Sequence, residues 1–184
     1  MKSQEEVEHI KETKPDLVVV VAYGKILPSN FLNMKNSLFI NAHASLLPKW
    51  RGAAPIQRSI MNCDEETGVT IMKIIPKLDA GPILIKSKIK ITKYTNCEEL
   101  SDKMSKLGAN LILKALDLIK KDEAKFTAQN DKNATYAKKV EKSESKIDWN
   151  LEAKNIIAKI NAFHPNPGSW FNFKGSRIKI IKAV

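Results

Sequence analysis

Cysteine is scarce in this 184-residue chain, and the two present, Cys63 and Cys97, share no Cys-x-x-Cys spacing and have no accompanying histidines. That excludes a zinc ribbon and a disulfide framework and leaves two reduced thiols as the expectation. No G-x-S-x-G, G-x-G-x-x-G, P-loop Gly-Lys-Ser/Thr or H-E-x-x-H sequence occurs, so a hydrolase elbow, a dinucleotide or nucleotide cradle and a zinc-peptidase helix fall away, and no metal is expected. Long apolar runs are missing too. The longest, residues 17–23, is far below the roughly 18 residues of a membrane span, and the opening MKSQEEVEHI lacks the apolar stretch of a signal peptide. A cytosolic protein with no membrane partner is expected. Arginine is rare: of 31 basic residues only Arg51, Arg58 and Arg177 are arginines.

What is present is an ordinary globular balance, 43% hydrophobic and 28% charged, with a net charge of +11. A polyanion such as a phosphate backbone suits that charge. Biased coding of a chain rich in Lys, Ile and Asn accounts for it equally well.

The order of elements points to an α/β fold. Ser3 and Glu6 have capping-box spacing ahead of Val7 and Ile10, and Pro15 stops that helix. Residues 16–24, DLVVVVAYG, are β-branched without polar alternation, the mark of a parallel strand covered on both faces. Pro55 opens a helix over 56–62. Strands are predicted over 68–75 and 82–91, around a turn at 76–81. Thr95 and Glu98 form a second capping box before a helix whose stripe of Leu100, Met104, Leu107, Leu111, Ala115 and Leu118 is core packing. Residues 120–146 are polar and read as a surface connection. A helix over 151–161 with Ala153, Ile156, Ile157 and Ile160 on one side follows, and the chain then reads as a β-hairpin bent at Lys174-Gly175. The division expected is a catalytic domain over 1–122, a linker over 123–146 and the start of a second domain over 147–184.

INAHASLLPKWRGAAP, residues 40–55, breaks the pattern. Leu38, Phe39 and Ile40 begin a buried strand, yet Asn41, His43 and Ser45 follow at the two-residue interval that shares one face. At the carboxyl end of a strand in an open α/β sheet, such side chains enter the ligand crevice. An amide donor beside an imidazole suits a tetrahedral oxyanion, and the imidazole can also move a proton. Asp79, in the later turn, is within reach to orient that imidazole. A satisfied structural histidine is the competing reading, and His9 and His164 are read as structural.

Together, Asn41-Ala42-His43, Ser45-Leu46-Leu47-Pro48, Arg51-Gly52-Ala53-Ala54-Pro55 and Leu78-Asp79-Ala80-Gly81 resemble the folate-dependent formyltransferases. AYGKILP, AAPIQRSI, ETGVTIM, TYAKKV, IDW and AFHPNPGSW extend the resemblance along nearly the whole chain in family order. The resemblance implies a Rossmann-like domain with a mostly parallel sheet, then a linker and the start of an OB-like β-barrel. It implies transfer of a formyl group from 10-formyltetrahydrofolate to the amino group of methionine carried by initiator tRNA. Asn41, His43 and Asp79 match the family's catalytic positions. Ser45, Leu46, Leu47 and Pro48, with Tyr23, Gly24, Lys25, Ile26 and Leu27, match its folate-contacting segments. Arg51 is either a substrate contact or a loop-fixing residue. Sugar-nucleotide formyltransferases share the Asn-x-His, the SLLP segment and the late Asp, but AFHPNPGSW and AAPIQRSI favour the tRNA branch. Family members carry βα units before the strand matched by 16–23 and a complete barrel after it. The chain is therefore expected to be a fragment and by itself a poor catalyst or an inactive remnant, with a monomer expected at full family length.

Overall fold

The computed structural model describes residues 4–24, 27–34 and 36–183. Its main sheet consists of β1 (Leu17–Val21), β2 (Leu38–His43), β4 (Glu66–Lys73) and β5 (Ile83–Lys90), in that spatial order. Two small pairs accompany it, β3 (Arg51–Gly52) with β6 (Tyr136–Ala137) and β7 (Ser169–Phe173) with β8 (Ser176–Ile180). The helices are α1 (Gln4–Glu12), α2 (Ser29–Leu32), α3 (Pro55–Met61), α4 (Cys97–Lys120) and α5 (Ala153–Ala162). The expected α/β class holds, with a mixed sheet. The parallel character read from residues 16–24 resides in the β1–β2 pair, while β4 runs antiparallel to β2 and β5 antiparallel to β4. A short turn joins β4 to β5, and only an antiparallel pair can be closed that way.

Alternation along β2 separates two cores. Leu38, Ile40, Ala42 and Ala44 belong to a cluster with Ile60 of α3, Val69 and Ile71 of β4, and Leu100, Met104, Leu111 and Ala115 of α4. Phe39 faces the other way, among Val7, Leu27 and Phe31, and its ring meets Phe31 edge-on at 5.1 Å between centroids. Each such side chain contributes about 1.5–3 kcal/mol when fully removed from water. Of the stripe predicted on α4, Leu100, Met104, Leu107, Leu111 and Ala115 pack into this cluster, while its last turn contributes Ile119 rather than Leu118.

Several local expectations shift. Ser3 of the first capping box lies outside the described residues. The cap of α4 is Asn96, whose side chain accepts from the Glu99 amide at 2.9 Å; Thr95 is drawn instead to the Thr92 amide at 3.0 Å. The two-sided cover expected for residues 16–24 is incomplete. Among the described residues β1 has β2 as its one neighbour, and Val19 and Val21 are 38% and 56% exposed. The polar stretch over 120–146 does more than cross the surface. Thr127 exchanges two backbone hydrogen bonds of 2.8 Å with Ile83, and β6 aligns parallel with β3. Beyond it, α5 packs on α3. The β7–β8 hairpin turns at Lys174-Gly175, both at positive φ (46° and 79°), as a two-residue hairpin loop requires. Cys63 is exposed and Cys97 buried, both free, and burial pushes the Cys97 thiol's pKa up. No helix among the described residues is long and apolar enough to cross a membrane.

Candidate active site

The face of β2 that carries Phe39 continues through Asn41 and His43 beyond the α1–α2 cluster, so the polar residues stand where apolar cover ends. Asn41 is half-buried and His43 is 6% exposed. The His43 Nε2 atom lies 2.8 Å from the Trp50 carbonyl oxygen. A carbonyl can only accept, so Nε2 carries the proton and Nδ1 is the atom that faces Asp79, 3.7 Å from its Oδ2. That spacing is just beyond a direct hydrogen bond, and a small movement or one water closes it. With a neutral ring Nδ1 accepts a proton; with a charged ring it donates toward the carboxylate.

Asp79 reaches this position through an unusual turn. Its own φ is 45°, and the same Oδ2 accepts from the Gly52 amide at 2.8 Å. Two glycines permit the approach. A Cβ on Gly81 would lie 1.7 Å from the Lys73 carbonyl oxygen, and one on Gly52, at φ +118°, would lie 2.8 Å from that of Ala137. The glycine of Leu78-Asp79-Ala80-Gly81 is thus a steric requirement.

Arg51 is wholly buried. Its Nε and Nη2 donate to Gln129 Oε1 at 3.1 and 2.8 Å, and Nη2 also meets Asp131 at 2.8 Å. Of the two expectations for Arg51, substrate contact and loop fixing, burial and these partners fit the second. Lys77 also pairs with Asp131. The two cations together hold the Asp131 carboxyl below its ordinary value, the Lys77 hydrogen bond foremost.

The Ser45–Pro48 segment forms a closed turn. Ser45 and Leu47 are fully buried; Ser45 donates to the Lys49 carbonyl at 2.5 Å, and the Thr70 hydroxyl donates to the Ser45 carbonyl while accepting from the Leu47 amide. Leu46 and Pro48 are half-buried. On the opposite flank Tyr23 is half-buried, Gly24 is exposed and Leu27 is packed under Phe31, while Lys25 and Ile26 lie outside the described residues. His9 lies on the surface of α1 near Glu12, and His164 faces Glu98 at 3.6 Å. Among the described residues no cluster could hold a metal ion.

Sequence reasoning brought His43 and Asp79 together, with Asn41 on the same strand as His43, but missed the groups around them: the Trp50 carbonyl, the Gly52 amide, Gln129 and, through Arg51, Asp131. Gly52 carried a signal in its position beside Arg51. Gln129 and Asp131 carried none, because their partners are 78 and 80 residues away from them in sequence.

A family profile described as "Formyl transferase" matches residues 1–116, and one described as "Formyl transferase, C-terminal domain" matches residues 139–184. The chain is 52% identical over 181 residues to the methionyl-tRNA formyltransferase of Pelagibacter ubique (strain HTCC1062), covering 98% of this chain and 58% of that relative. It thus spans less than two thirds of the curated relatives' length. Among solved structures, a 4-N formyltransferase from Francisella tularensis superimposes with a TM-score of 0.84 at 22% identity, over 100% of this chain and 78% of the other. HypX from Aquifex aeolicus, solved in complex with tetrahydrofolic acid, does so with a TM-score of 0.81 at 20% identity, over 96% of this chain and 30% of the other.

Proposed function

Because this chain belongs to the formyl transferase family, we propose that it serves the transfer of a formyl group from 10-formyltetrahydrofolate to the α-amino group of methionine esterified to initiator tRNA. The observation that carries this reading is the His43 ring fixed between the Trp50 carbonyl and the Asp79 carboxylate, on the strand face that also bears Asn41. The identity to the Pelagibacter protein directs the reading to a tRNA-borne amine.

The neutral amine attacks the formyl carbon, and a carbon–nitrogen bond forms as the carbonyl oxygen takes up negative charge. Asn41 donates to that oxygen, a preorganised donor worth roughly 3–4 kcal/mol in a transition state, and the His43 ring, whose nitrogens face the Trp50 carbonyl and Asp79, stabilises it through its positive charge when protonated. The amine's proton passes by way of water and the Asp79–His43 pair toward N10 of the folate, whose bond to the formyl carbon then breaks. One proton leaves the acceptor nitrogen and one is gained by the donor nitrogen, so the step balances.

The folate ring is assigned to the space between residues 23–27 and the Ser45–Pro48 turn. There half-buried Leu46 and Pro48 offer apolar surface to a flat heterocycle. The surplus of lysine suits the phosphates of tRNA. All three reacting side chains come from one chain, so the reaction needs no second copy, and we assign it to the cytoplasm, where translation begins.

The test is an acceptor panel with labelled 10-formyltetrahydrofolate. Initiator methionyl-tRNA should be formylated. Label appearing on a nucleotide-linked amino sugar and not on methionyl-tRNA would overturn the assignment.

A further inference from the structure

We propose that Gln129 is a positioning residue for the reacting centre, fixing the Asp79 turn from a segment that contributes nothing else to the chemistry. This rests on the role given to Asp79 above. The Gln129 Nε2 atom donates to two carbonyl oxygens of the turn, Asp79 at 2.9 Å and Gly81 at 2.7 Å. Its Oε1 accepts from Nε and Nη2 of Arg51. Arg51 immediately precedes Gly52, whose amide holds the Asp79 carboxylate. One half-buried amide therefore joins the backbone of the turn to the strand that grips its side chain.

The chemistry asks for an amide and nothing else. Two carbonyl oxygens require a donor, and a buried guanidinium requires an acceptor. Among uncharged side chains only Gln and Asn present two N–H donors and an acceptor on one planar group, and Asn is one methylene shorter. A carboxylate at this position would serve Arg51 but repel the two carbonyls. An apolar side chain would leave Arg51 buried with less of its hydrogen bonding met, beyond the Nη1 atom that already has no partner among the described residues. Asp79 itself sits at positive φ (45°), a conformation that a non-glycine residue keeps only when its surroundings enforce it. Gln129 supplies two of the hydrogen bonds that enforce it.

The experiment uses the 184-residue chain and the amide proton of Gly52 as reporter, since that proton is bonded to Asp79 Oδ2. Asp79→Ala defines the reporter's position when the bond is absent. Gln129→Glu, which retains the Arg51 acceptor and loses the donor, should carry the Gly52 resonance most of the way to that position, and Gln129→Met should do the same. In single-turnover formylation, Gln129→Glu should lower the rate about tenfold or more, as expected for a reacting group displaced by a fraction of an ångström, without changing half-saturation by methionyl-tRNA. If Gln129→Glu lowers the melting temperature while the Gly52 resonance stays at its parental position, the residue is structural only and the proposal is wrong. Gln129→Glu keeps a partner for Arg51, so it remains informative should Gln129→Met fail to fold. Parental formylation by Asp79→Ala would remove the catalytic reading of Asp79, while the Gly52 resonance would still report separately whether Gln129 sets the turn.

Discussion

The candidate site around His43 and the β1 flank lie on the same sheet and are held together very differently. Around His43 and Asp79 almost every polar group has a named partner: a carbonyl on the ring, an amide on the carboxylate, an amide side chain under the turn. On the far side, β1 has one neighbouring strand among the described residues and turns Val19 and Val21 to water. The comparison separates two requirements. The proposed proton transfer and oxyanion stabilisation would need geometry held within about half an ångström, and the partners that fix Asp79 come from segments distant in sequence. Accommodation of a large flat donor is assigned to the flank where the chain invests fewer contacts.

The largest effect on stability should come from Gly81→Ala. A Cβ there meets the Lys73 carbonyl oxygen, and neither backbone can yield without moving the Asp79 turn. A loss of about 3 kcal/mol or more in urea unfolding is expected, together with loss of the Gly52–Asp79 hydrogen bond. A Gly81→Ala chain as stable as the parent would mean that the turn is not constrained as described.

A smaller effect is expected where the 120–146 stretch is tied to α3. Arg58 grips Glu144 with two hydrogen bonds of 2.6 and 3.0 Å, and this contact is the main cause holding the Glu144 pKa below its ordinary 4.5. A carboxyl depressed in the folded state stabilises the fold above its unfolded pKa and loses that contribution as pH falls through the folded one. Glu144→Gln should therefore cost roughly 0.5–1 kcal/mol near neutrality, allowing for solvent screening. The gap from the parent should close below about pH 4.5. A gap that is constant from neutral to acid pH would exclude the ion pair as its source. The smallest change belongs to the flank: Val21→Thr should alter stability by no more than about 0.5 kcal/mol, and a larger loss on urea unfolding would show that β1 is covered after all.

The sequence made these two regions legible to different degrees. β1, β2, β4, β5, the α4 stripe and the closing hairpin could be read because alternation, helical spacing and a Lys-Gly turn are local signals. The candidate residues could be read because Asn41 and His43 contradict the strand that contains them, with Ser45 continuing their spacing just beyond it. The cap of α4 was misplaced by one residue, since Thr95 and Asn96 are both good caps and the Thr92 amide took the first. The segment over 120–146 looked like solvated connection because polar residues that hydrogen-bond inward and polar residues that face water have the same composition. Arg51 shows the same difficulty: a lone arginine beside a candidate site looks like a contact until Gln129 and Asp131 are found around it.

The central claim is that His43, seated by Trp50 and facing Asp79, takes part in formyl transfer. Single-turnover formylation of initiator methionyl-tRNA, with the chain in excess so that even slow transfer is read, tests it most directly when the parent is compared with His43→Ala. The variant should lose at least about two orders of magnitude in rate while its circular dichroism spectrum stays that of the folded parent. A folded His43→Ala chain that formylates at the parental rate would contradict the account.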